Sequence, residues 1–136
     1  MGTQYSLEAG NNRHYVVVLT SGKEDGGKRA TLAFAAACSA AAMDMNPHVF
    51  LIGDGSYWAY EGHTHGIHAA GFPPLEDLVE NYLDLGGNLY VCSACDQVCS
   101  VAPDNSFPLP AKRVGIEPRG LASVLQYTVS GGSITF

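Results

Sequence analysis

Three short, uninterrupted apolar runs limit what this chain can fold into: residues 14–20 (HYVVVLT), 48–54 (HVFLIGD) and 88–92 (NLYVC). A strand with one wet face alternates apolar and polar residues, whereas a run that is apolar at nearly every position suits a strand buried on both faces. Between the runs lie segments of helical character. Residues 28–44 are rich in alanine, with Leu32 and Phe34 as the bulky side chains. Small side chains of this kind allow a helix to pack closely on a sheet. Residues 75–83 place Leu75, Leu78, Val79, Tyr82 and Leu83 at helical spacing, with Pro73-Pro74 before them and Gly86-Gly87 after. Glu76 and Asp77 suit the positive end of that helix. Alternation of buried strands with helices implies a mostly parallel sheet covered on both faces, a three-layer α/β/α arrangement.

Toward the C-terminus, residues 113–116 form a short fourth strand. Pro118 then opens a helix striped by Leu121, Val124 and Leu125, and Gly131-Gly132 turns the chain into a last strand at 134–136. The strands at 14–20, 48–53, 88–92, 113–116 and 134–136 are expected to make one five-stranded sheet. The 136 residues show no repeat and no linker, so a single domain spans 1–136, with residues 1–12 as a ragged lead-in.

Sulfur chemistry concentrates at the end of the third run. Cys92 closes it, and Cys95 and Cys99 follow within NLYVCSACDQVCS. A helix starting near Ser93 or Ala94 would set Cys95 and Cys99 four apart on one face. The free N–H groups and positive dipole end of such a helix favour a thiolate, so Cys92, Cys95 and Cys99 are the candidate catalytic residues. Cys38, inside AAACSAAA, reads as a small buried hydrophobe.

A second cluster, His63, His65 and His68, lies in the irregular stretch after the second strand. Coming after a strand, that stretch belongs at the same sheet edge as the loop before the first helix. The three cysteines with one of these histidines have the chemistry of a Cys3His zinc site, or of ligands to an iron–sulfur cluster. Trp58, Tyr57 and Tyr60, in the same stretch, are candidate residues for a subunit interface. Gly22 to Lys28 fits the skeleton of a phosphate-binding loop, but Arg29 stands where a magnesium-binding Ser or Thr is needed. A solvated loop is the expected outcome, with Asp25 capping the helix after it.

Net charge is -6 and the seven basic residues are spread thinly, which argues against direct nucleic-acid binding. The polar start lacks the apolar core of a signal peptide, and no run approaches the length of a membrane span. The cytoplasm is the expected compartment, and its reducing poise favours working thiols over structural disulfides.

Taken together, VVVLTSGKEDGGKRATLAF, the NLYVC that follows LGG, and the closing GGSITF resemble the DsrE family of DsrE/DsrF-like sulfur-relay proteins, from about residue 14 to 136. The resemblance implies an α/β/α fold with a five-stranded sheet and a homo-oligomer, a trimer or hexamer. It also implies a cysteine after the third strand that carries sulfane sulfur as a persulfide, received from a donor protein and passed to an acceptor. By position that residue is Cys92, and Cys95 matches a second cysteine of some members. Where the family often has an Arg-Gly pair in the following helix, this chain has Cys99-Ser100. The alternatives are the zinc or iron–sulfur module and a non-catalytic scaffold subunit of a relay complex.

Overall fold

The computed structural model describes residues 13–95 and 111–136. In chain order these form β1 (His14–Leu19), α1 (Lys28–Ala42), β2 (Asn46–Leu51), α2 (Leu75–Asp84), β3 (Asn88–Cys92), β4 (Ile116–Arg119), α3 (Leu121–Val129) and β5 (Gly132–Thr135). Short 3-10 turns occupy Lys23–Asp25 and Gly53–Ala59. The strands make one sheet in the order β4-β3-β2-β1-β5, and every neighbouring pair is parallel.

Strand alternation sorts the core into two faces. Val17, Leu19, Val49, Leu51, Leu89 and Val91 point toward α1 and α2. Val16, Phe50 and Tyr90 point the other way and meet Val124 and Tyr127 of α3. The steps β1 to β4 move across the sheet in one direction, and α3 carries the chain back over the opposite face to β5 at the far edge. Right-handed crossovers require the helices to divide between the two faces in this way.

Local chemistry explains the helix ends. Ala30, Ala33, Ala37 and Ala40 form the buried stripe of α1, and Phe34 meets the edge of Tyr82 on α2 at 5.9 Å. Gly86 lies at φ 86°, and the Gly86 and Gly87 N–H groups donate to the Leu83 and Tyr82 carbonyls. That pair of bonds closes α2 as a Schellman motif, as Gly86-Gly87 implied. Buried Tyr82 donates its hydroxyl to the Asn88 carbonyl at 2.6 Å and so ties α2 to the start of β3.

Three strand boundaries differ from the sequence reading, the last of them in β5, which runs over Gly132–Thr135 rather than 134–136. The fourth strand runs over Ile116–Arg119 rather than 113–116, because Gly115 at φ 95° turns the chain just before it. Pro118 therefore lies in a strand and not at a helix start; β4 is an edge strand, where a missing N–H is tolerated. The second strand starts two residues early, at Asn46, paired with His14.

Candidate functional site

The C-terminal ends of β1, β2 and β3 lie side by side, which is where a parallel α/β sheet places ligands and reacting groups. The loop after β1 turns through Lys23–Asp25 into α1. Asp25 accepts the Gly27 and Arg29 N–H groups, each at 3.0 Å. Its carboxylate thus takes the place a phosphate would need at the helix N-terminus, and this segment is a structural loop.

The loop after β2 packs on the loop after β1. Trp58 donates its indole N–H to the Ser21 carbonyl at 2.8 Å, and Ile67 fills the space beside Gly27. The shared sheet edge expected for these two loops is therefore present. The aromatic interface is not: Trp58 is 1% exposed and Tyr60 4%, so both belong to the chain's own core. Only Tyr57 stays half-buried, stacked on His63 at 4.0 Å.

The three histidines diverge. His63 donates from Nδ1 to the Tyr57 carbonyl at 2.7 Å, His65 lies 3.8 Å from Glu76, and His68 is exposed. Among the described residues no three His, Cys, Asp or Glu side chains come together as a metal site. Cys99 lies outside the described residues, so its place in any ligand set is not part of this geometry.

Glu76 is instead the centre of a structural clasp. Arg113 grips both its oxygens, at 2.9 and 2.8 Å, and Thr64 donates to the same carboxylate. The Arg113 hydrogen bonds hold the Glu76 carboxyl below its ordinary range, with burial opposing and the Thr64 hydroxyl assisting. The clasp floors an open cleft of about 760 Å³ whose lining, among the described residues, includes Glu61, His65, Glu80 and Asp84 and no cysteine.

Cys92 ends β3, and the chain turns helical at once over residues 93–95. Its ladder partner is Arg119 on β4, and strand alternation puts it on the same face as Tyr90. Its thiol is free and only 2% exposed, against the partial exposure expected of a reactive cysteine. Cys95 is half-buried three residues further on. Cys38 sits between α1 and α2 with its thiol against the Leu78 carbonyl at 3.5 Å, and burial pushes its pKa up, partly offset by Asn81. It is a packing residue, as AAACSAAA suggested.

The family follows from the whole chain. The family model for DsrE/DsrF-like proteins matches residues 14–136. This chain belongs to the DsrE/DsrF-like family. The parallel five-stranded sheet with helices on both faces is shared by solved structures of low sequence identity. The ychN protein of E. coli superposes with a TM-score of 0.65 at 17% identity, covering 90% of this chain and 99% of that one. BT1422 of Bacteroides thetaiotaomicron, described as a conserved protein of unknown function, gives 0.57 at 12% identity, covering 90% and 94%. No curated protein sequence matches this member of the family. No helix among its described residues is long and apolar enough to cross a membrane.

One cluster was missed in the sequence. His14, His48, Tyr90 and Tyr127 assemble on the α3 face of the sheet. The signal was parity: His48 and Phe50, like His14 and Val16, lie two apart in their strands and so share a face.

Proposed function

We propose that this protein carries sulfane sulfur as a persulfide on Cys92 and passes it to a partner protein. The observation that carries the reading is Cys92 at the C-terminal end of β3, with helical backbone beginning at Ser93, in a chain of this family. A thiolate at that position is the nucleophile that sulfane-sulfur exchange requires. The Cys92 thiolate attacks the terminal sulfur of a donor persulfide. A new S–S bond forms, the donor's S–S bond breaks, and the donor leaves as a thiolate. Delivery repeats the same exchange with the acceptor thiolate as nucleophile, so no external oxidant or reductant is consumed. Cys95 and Cys99 supply a discharge route. Attack of either thiolate on the Cys92 sulfur of the persulfide leaves an intramolecular disulfide and releases hydrosulfide. Thiol chemistry of this kind suits a reducing compartment such as the cytoplasm.

Mass spectrometry after exposure to a persulfide donor tests the assignment. The parent protein should gain the mass of one sulfur atom on the Cys92 peptide, and Cys38→Ser should behave alike. Cys92→Ser should fold and take up none. Uptake by Cys92→Ser equal to the parent would move the role to Cys95 or Cys99.

The same reading includes assembly into a homo-oligomer, a trimer or hexamer. An apolar stripe on α3 supports it: Leu121, Leu125 and Val129 recur every four residues and are 56, 67 and 87% exposed in the single chain. Light scattering should return a multiple of the chain mass, and Leu125→Lys should lower it. A monomeric parent protein would overturn this part.

A further inference from the structure

Cys92 bears negative charge in both halves of the exchange described above: it attacks as a thiolate on loading and leaves as one on delivery. Its side chain is 2% exposed. A charge formed there has little water around it and is costly without a counter-charge close by.

The counter-charge follows from where the basic residues lie. All seven are among the described residues. Arg13 precedes β1, at the opposite end of the parallel strands from Cys92. Lys23 stands over the Tyr57 ring at 5.5 Å, in the loop after β1. Lys28 and Arg29 open α1, which packs on the other face of the sheet, and Arg29 lies 3.9 Å from Asp25. Lys112 pairs with Tyr60 in the core of that same face, and Arg113 is held by Glu76 of α2. Arg119 remains. It is the ladder partner of Cys92 in a parallel pair, so the two side chains leave the sheet on one face, from strands about 4.8 Å apart.

The Arg119 guanidinium lies over the ring of Tyr90, two residues before Cys92, at 4.9 Å from the centroid. It donates from Nη2 to Glu117 at 3.1 Å. That ion pair sits on the open edge of β4, with the Arg119 side chain 37% exposed and the Glu117 side chain 63%. A pair so exposed contributes little, so the guanidinium can turn from Glu117 toward a charged sulfur at small cost. A buried anion gains more from the same cation, because less water screens the attraction. The other titratable groups on this face are Tyr90 and Tyr127, and His14 and His48 toward the start of the strands, while Cys95 follows in the turn after β3.

We propose that Arg119 is the counter-charge of the Cys92 sulfur: its guanidinium pairs with the thiolate as it attacks a donor and as it leaves toward an acceptor, and Glu117 competes for it. The assignment rests on Cys92 as the reacting thiol. The bonds formed and broken are those of the exchange already given, and Arg119 keeps its proton throughout. A leaving thiolate that is stabilised departs faster, so delivery as well as loading depends on Arg119.

Alkylation by iodoacetamide, a neutral probe, tests the pairing without any sulfur donor. Modification of the Cys92 peptide is followed by mass spectrometry of timed quenches between about pH 6 and about pH 9. Near about pH 7, Arg119→Gln should slow alkylation about tenfold and carry the rise of rate with pH upward by about one unit. Arg119→Lys should keep most of the parent rate. Glu117→Gln should act the opposite way, raising the rate about two- to threefold at the same pH. An unmoved profile in Arg119→Gln overturns the proposal. So does a rate changed by one factor at every pH, which reports access to the sulfur and not charge. A parent Cys92 that fails to react at any pH overturns it too. Where Arg119→Gln does not fold, Glu117→Gln decides: a profile displaced to lower pH supports the pairing, and an unmoved one refutes it. Persulfide uptake by the parent is a separate measurement, so the carrier role and the role of Arg119 are overturned by different results.

Discussion

Trp58→Ala is expected to destabilise the protein by about 3–5 kcal/mol, the range for removing a buried aromatic side chain. Trp58 is 1% exposed and is among the largest fully buried side chains of the core. It does more than fill volume. Its indole N–H holds the Ser21 carbonyl at 2.8 Å, and Tyr57 meets it edge-on at 4.9 Å. The 3-10 turn Gly53–Ala59 is thereby fastened to the end of β1, where Gly55 approaches the Leu19 carbonyl so closely that a Cβ would lie 2.0 Å from the oxygen. Truncation leaves a cavity and an unpaired carbonyl together. Trp58→Phe keeps most of the volume and loses the hydrogen bond, so it should cost less, about 1–3 kcal/mol. Urea unfolding at neutral pH gives both values. A change below about 1 kcal/mol for Trp58→Ala would contradict the packing described.

The second large effect belongs to Glu76. The Arg113 side chain is 12% exposed and the Glu76 side chain 24%, and the two-point grip between them brings the chain back to α2 just ahead of β4. Glu76→Ala leaves the guanidinium largely out of water with no anion, for an expected loss of about 2–4 kcal/mol. Arg113→Ala should cost less, because Glu76 keeps Thr64 and has more access to solvent. The pH dependence has a definite sign. The folded protein holds the Glu76 carboxyl below its ordinary range, so the clasp contributes fully above the unfolded value of about 4.3 and is lost as pH falls through the folded one. His48 acts in a higher window. Its folded pKa is also depressed, so its neutral form contributes fully above about 6.5 and the contribution is lost as pH falls toward about 4. Thermal melts of Glu76→Gln and His48→Gln across both windows should each remove one step and leave the other. Parallel curves for parent and both variants would refute the assignment.

Much of this was written in local sequence. Runs such as VVVL and VFLI have no polar face to give to water, so they specified interior parallel strands whatever their neighbours. The spacing of Leu75, Leu78, Val79 and Tyr82 and the Gly86-Gly87 stop specified α2, because helix period and a left-handed C-terminal residue are properties of a few adjacent residues. Cys92 at a strand end was legible for the same reason. The fourth strand was misplaced because Pro118 suits a helix start and an edge strand equally, and only the position of β4 at the sheet edge separates the two.

What only the tertiary structure decided are contacts between residues far apart in the chain. Trp58 suits a core or an interface by composition, and the Ser21 carbonyl, far from it in sequence, made it core. The His63, His65 and His68 cluster is close in sequence, yet His63 bonds the Tyr57 carbonyl, His65 lies beside Glu76 and His68 is exposed. His14 and His48 lie far apart in sequence and became hydrogen-bonded partners once β1 and β2 paired with His14 opposite Asn46. The physical reason is range. Period and turn chemistry act over a few residues and determined the strands, the helices and the sulfur-bearing strand end. Partner, register and burial depend on where the sheet places distant segments, and they determined the clasp, the stack under α3 and the depth of Cys92.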